Sequence, residues 1–221
     1  MCNPEGRRIK ARIKFGENFF EGAEKMADET SFNIVNQAIA DPSTVGLASF
    51  GIGLFTLSFQ NAGIIGPKSV GVIIPLALIV GLIHLIACLN GFKKNELFTG
   101  LVFGIFGMFW IVYSLINLGV ALKWYELDAN ALLVFLVAYT IFTLYALIAS
   151  FVTNKAVILT VALLFAVFVL LDLGLAWYPV LIKLAGYVGI ICGLMALYVS
   201  AAGLLGTLYG RSVLPVGPIV R

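Results

Sequence analysis

The chain has 221 residues, of which 61% are hydrophobic and 11% charged, with a formal charge of +3. A soluble globular domain carries about 25% charged residues, so a water-soluble globule is excluded. The small positive excess is spread along the chain and makes no case for a nucleic-acid surface.

Residues 1–40 come first in chain order. Their basic start (Arg7, Arg8, Lys10, Arg12, Lys14) is followed not by an apolar run but by Glu17, Glu21, Glu24, Asp28 and Glu29, which argues against a leader peptide. Ile9, Ile13, Phe15, Phe19, Phe20, Ala23 and Met26 recur at near-helical spacing. The segment reads as a cytoplasmic amphipathic helix lying on the membrane surface, its basic end against anionic lipid.

Six apolar stretches follow, at 45–65, 69–90, 97–122, 131–151, 156–178 and 184–208, and none contains Lys, Arg or Glu. About 20 such residues cross about 30 Å of hydrocarbon. In lipid every backbone amide must be satisfied within its segment, so these are helices. The expected fold is therefore an all-α membrane protein. Residues 41–210 form a domain of six transmembrane helices, and residues 211–221 a cytoplasmic tail. Asp41-Pro42 predicts the start of the first helix, because Asp caps well and Pro is favoured at the first helical position. Pro75 falls inside the second span, and Pro179 marks the turn after the fifth. Gly100/Gly104 and Gly189/Gly193 have GxxxG spacing, which suits close helix packing in lipid.

Charge placement orients the chain. Six spans put both termini on one side. That side holds eleven of the fourteen basic residues, and only Lys68, Lys123 and Lys183 fall opposite. The positive-inside rule makes both termini cytoplasmic, in a multi-pass protein of the cell (plasma) membrane. Trp124, Tyr125, Trp177 and Tyr178 then form an outer aromatic belt.

Catalytic groups are scarce. A single His allows no paired-His metal site, and there is no G-x-S-x-G elbow and no phosphate-binding loop. No catalytic residue, metal site or cofactor is expected, and an enzyme is not. The three cysteines, Cys2, Cys88 and Cys192, form no disulfide framework. Two ionisable groups lie within spans. Asp172 is about 24 Å along its helix, near the outer interface, and reads as a solvated or pore-mouth group. His84 falls in the inner half of the membrane, either as a packed hydrogen-bonded residue or as a pore-lining one that feels pH. Phe103, Phe106, Phe109, Trp110 and Tyr113 form an aromatic stripe on the third span.

Three segments carry a family resemblance. The first is Asp41-Pro42-Ser43-Thr44-Val45-Gly46-Leu47-Ala48-Ser49-Phe50-Gly51. The second runs from Phe98 to Trp110 and ends Gly107-Met108-Phe109-Trp110. The third is Ala185-Gly186-Tyr187-Val188-Gly189-Ile190-Ile191-Cys192-Gly193, followed by Tyr209-Gly210-Arg211-Ser212-Val213-Leu214-Pro215. In these the chain resembles the acetate uptake transporter family, which includes the bacterial succinate–acetate permeases. The resemblance covers about residues 41–217. It implies a homo-oligomer, a hexamer, in which each six-helix subunit has its own central pore for acetate and related short carboxylates, with succinate in some cases. It also implies a narrow constriction at Phe50, Leu164 and Phe106, where Phe106 takes the place of the family's Tyr. Asp41 replaces an Asn, Thr44 a Pro, and His84 stands where a Gln is expected.

The spacing is compatible with such a ring, since each of the three residues lies about 12–14 Å from the start of a helix running in the same direction. A short carboxylic acid, with a pKa of about 4–5, is anionic at neutral pH. A pore for it needs donors without a full charge that would trap it. The substrate-contacting candidates are the Pro42–Leu47 helix start, Thr44, Ser49, Gln60, Asn61 and His84, together with Phe109 of the aromatic stripe. The expectation is a channel or proton-coupled permease for acetate and related short monocarboxylates. The alternative is a channel for a small neutral solute such as urea, ammonia or a short amide.

Overall fold

The computed structural model describes residues 21, 22, 24–26, 28 and 39–218. The chain divides into two units, Met1–Ala40 and Asp41–Arg221. In the first, the described residues through position 28 are helical and exposed. The remainder of the expected amphipathic segment lies outside the described residues.

The second unit holds six helices long and apolar enough to cross a membrane. They are α1 (Pro42–Asn61), α2 (Val70–Lys93), α3 (Leu97–Ala121), α4 (Ala129–Ser150), α5 (Lys155–Ala176) and α6 (Val180–Tyr209). Short polar side chains set three of their starts. Asp41 accepts from Ser43 N–H at 2.8 Å, Asp128 from Asn130 N–H at 2.8 Å, and Asn154 from Val157 N–H at 3.0 Å. Each bond satisfies an amide that the first turn leaves without a partner. α6 ends where Gly210 turns left-handed at φ 63°, the usual conformation of a glycine that stops a helix.

The helices follow one another around a ring that α6 closes against α1. Two junctions rest on backbone proximity. A Cβ added to Gly51 of α1 would stand 2.9 Å from the carbonyl oxygen of Gly193 on α6, and one on Gly193 would stand 2.8 Å from Phe55 N. Gly81 of α2 meets Gly107 of α3 in the same way, 2.9 Å from its oxygen. Without a hydrophobic drive between helices in lipid, such close approach supplies the dispersion contact that holds them. α3 and α4 approach least closely, and rings span the gap. Phe106 lies edge-on to Phe142 at 5.3 Å, and Phe109 lies edge-on to Tyr139 at 4.9 Å.

Candidate functional site: two cavities divided by one wall

Two cavities lie inside the ring. The larger, about 350 Å³, has the size of a small-molecule site. It opens beside the N-terminal ends of α1, α3 and α5, where Asp41, Ser43, Phe98, Thr99 and Asn154 line it. It narrows inward past Thr44, Leu47, Val102 and Thr160 to His84, Phe50, Phe106 and Leu164. The smaller, about 30 Å³, has room for about one water molecule. It is lined by Leu54, Leu57, Phe109, Trp110, Val167 and Phe168, and extends toward Asn61 at the far end of α1.

Phe50, Phe106 and Leu164 line both cavities. They come from α1, α3 and α5, and each is buried, with 6%, 3% and 6% of its surface exposed. The Phe50 and Phe106 rings are 6.4 Å apart, and Phe168 stacks on Phe106 at 6.2 Å from the opposite flank. An apolar wall of this kind passes solute only in a largely dehydrated state.

The larger cavity has a one-sided electrostatic character without a fixed cation. Among the described residues no Lys or Arg lines either cavity. Three helix N-termini face its mouth instead, and each carries about half a positive charge. Asp41, the one charged residue in the lining, has a carboxylate oxygen that takes both the amide and the hydroxyl of Ser43, at 2.8 and 2.7 Å. The hydroxyls of Thr44 and Thr99 have no partner among the described residues, so they are free to donate to a bound anion.

His84 is fully buried. Its Nε2 lies 3.2 Å from the carbonyl oxygen of Gly46. A carbonyl only accepts, so Nε2 carries the hydrogen. Nδ1 has no hydrogen-bond partner among the described residues. The ring packs against Phe50 and Phe103, with centroids 6.3 and 5.2 Å away.

The other expected residues separate. Thr44 and His84 line the larger cavity, and Phe109 and Asn61 the smaller. Ser49 and Gln60 line neither. The Ser49 hydroxyl donates to Gly46 O at 2.9 Å inside its own helix, and the Gln60 side chain accepts from Ser69 at the outer turn. Asp172 departs from its expected solvated setting. It is half-buried, and Thr140 of α4 donates to its Oδ2 at 2.5 Å. Its other oxygen is buried without a partner among the described residues.

The structure adds residues that the sequence reading missed. Val199, Ala202 and Gly203 of α6 line the larger cavity, as do Ser212, Leu214 and Val216 beyond it. Trp110, 2% exposed, lines the smaller one with its Nε1 unpartnered among the described residues. The Gly210 helix stop marks where α6 ends, but nothing in the residues after it tells where that segment lies.

Comparison with known proteins accords with this architecture. The succinate-acetate/proton symporter SatP of Escherichia coli (strain K12) is 29% identical over 185 residues, which are 82% of this chain and 97% of that protein. The ammonia transport outward protein 3 of Saccharomyces cerevisiae is 31% identical over 171 residues, 73% of this chain and 62% of its own length. A solved structure of the bacterial acetate channel SatP superposes with a TM-score of 0.77 at 29% identity, covering 81% of this chain and 99% of that one. The pattern of one transporter family matches residues 23–219. The chain belongs to the GPR1/FUN34/yaaH family.

Proposed function

We propose that this chain conducts acetate and related short monocarboxylates, with succinate as a further substrate, across the cell membrane through the passage inside its own six helices, as a channel or proton-coupled permease and not as an enzyme. The observation that carries the reading is the single wall of Phe50, Phe106 and Leu164 between the two cavities. That wall is the constriction. The larger cavity is the vestibule in which the helix N-termini and Thr44 meet the carboxylate; His84 lines it with its hydrogen held by Gly46 O, and Asn61 and Phe109 lie on the outward path. Ser49 and Gln60 act at one remove, Ser49 through the Gly46 carbonyl and Gln60 through the outer turn. Weak donors in place of fixed cations suit rapid passage, because a tightly held anion does not leave. The names of the Escherichia coli relative and of the solved SatP structure support the substrate class.

The vestibule faces the cytoplasm in this reading. Lys93, Lys94, Lys155 and Arg211 stand at its end of the bundle, and the positive-inside rule puts that end on the cytoplasmic side. The working assembly is a homo-hexamer with one pore per subunit. The apolar side chains Leu82, Leu85, Ile86 and Leu89, exposed on α2, offer surface to lipid and to neighbouring copies.

The name of the yeast relative favours a second reading, passage of a small neutral solute such as ammonia. Competition in liposomes holding the purified protein separates the two. Labelled acetate entry suppressed by formate and propionate supports the carboxylate reading. Entry of ammonia or urea with no acetate entry supports the neutral one.

A further inference from the structure

Beyond Gly210 the described residues stay against the bundle. Residues 212–218 cross the mouth of the larger cavity with a bend at Leu214, and Ser212, Leu214 and Val216 line it. Alternation places Leu214 and Val216 inward while Val213 and Pro215 are exposed. Three bonds seat the segment. Lys155 N–H donates to Gly217 O and Ala156 N–H to Val216 O, both at 3.0 Å, and the Tyr198 hydroxyl of α6 donates to Pro215 O at 2.7 Å. Gly217 turns at φ 66° with Lys155 packed beneath it.

The first two bonds bear on anion binding. They place carbonyl oxygens on the α5 amides that would otherwise face an anion at that helix start. The segment therefore narrows the mouth and also occupies one of the three positive helix ends around it. Ser212, Val213, Pro215 and Pro218 are exposed and none of its residues is buried, which is the mark of an element that opens locally at low cost.

We propose that residues 212–218 form a hinged strap that closes the vestibule, and that its lifting both widens the mouth and frees the Lys155 and Ala156 amides for the incoming carboxylate. The hinge is Gly210, and Tyr198 is the latch. The carboxylate part rests on the transport reading above, whereas the closure itself does not.

The test uses the full chain with Cys2, Cys88 and Cys192 replaced and a reporter Val102→Cys within the vestibule. The rate of reaction with a membrane-impermeant maleimide is compared with that after Tyr198→Phe and, separately, after Gly217→Val. Tyr198→Phe removes only the latch bond. Gly217→Val forces a branched residue into left-handed backbone and toward Lys155, 3.0 Å from the added Cβ. Labelling is expected to rise about fivefold in Tyr198→Phe, the effect of losing one net hydrogen bond from a closing equilibrium, and at least as much in Gly217→Val, where the strained backbone opposes closure, and acetate entry should rise with it. A rate equal to the parent's in either variant overturns the strap. Faster labelling with no acetate entry in any protein, parent included, keeps the strap and removes the transport reading instead.

Discussion

His84 Nε2 and Gly46 O, 3.2 Å apart, tie the buried imidazole of α2 to the second turn of α1. That carbonyl also accepts from Ser49, so one backbone oxygen organises both polar side chains behind the Phe50 wall. His84→Gln keeps a donor at this depth and should retain transport. His84→Leu removes the donor and should lower the acetate rate by about tenfold or more, since a hydrogen bond that positions a wall is worth about 1 kcal/mol and a small misplacement costs additional rate. Initial rates of acetate uptake in liposomes check the pair. Equal rates in His84→Leu and the parent would assign the residue to packing alone.

Truncating the wall changes what passes. Phe50→Ala and Leu164→Ala each open the partition between the cavities, so succinate entry should rise relative to acetate entry. Both also remove buried surface, at about 2–5 kcal/mol of stability. The succinate-to-acetate flux ratio is therefore read on protein shown to be folded by size-exclusion profile. An unchanged ratio in both variants would place the constriction elsewhere.

Close helix approach gives a stability prediction. Gly51→Val drives side-chain atoms toward the Gly193 carbonyl and should cost about 1–3 kcal/mol or more, lowering the thermal midpoint in detergent. Gly206→Ala is the control, because its nearest neighbour, Arg211 O, lies 3.8 Å from the added Cβ. It should leave the midpoint where it was.

Much of the architecture was legible in the residue pattern, and the reason is the bilayer. A span must be long, apolar and internally bonded, so length and composition mark all six helices, and Asp41-Pro42 marks the first start. Depth along a helix is arithmetic, so Phe50, Phe106 and Leu164 read as lying at similar depths, and all three line both cavities. Which way a side chain faces around its helix is set by neighbours in space. Gln60 turns to Ser69 across the outer turn, and nothing in its own span foretells it, whereas Ser49 bonds back to Gly46 within its own helix, a habit of helical serines. The same holds for Asp172, whose partner Thr140 is 32 residues away on another helix, and for the segment after Gly210, whose seat is the start of α5.

The Asp172–Thr140 pair is a structural joint between α5 and α4, and it lines neither cavity. Thr140→Val leaves the Asp172 carboxyl without a partner among the described residues and should lower stability by about 1–3 kcal/mol. Asp172→Asn keeps an acceptor for Thr140 and should hold both the thermal midpoint and the acetate rate. A loss of transport in folded Asp172→Asn protein would give the residue a part in conduction.

The most direct measurement is labelled acetate entry into liposomes containing the purified chain or its Leu164→Trp variant, in which an indole fills the gap between Phe50 and Phe106. The parent should load acetate well above empty liposomes, and folded Leu164→Trp should fall to the empty-liposome rate. Parental loading no faster than empty liposomes, or full loading through Leu164→Trp, would contradict a carboxylate path through this wall.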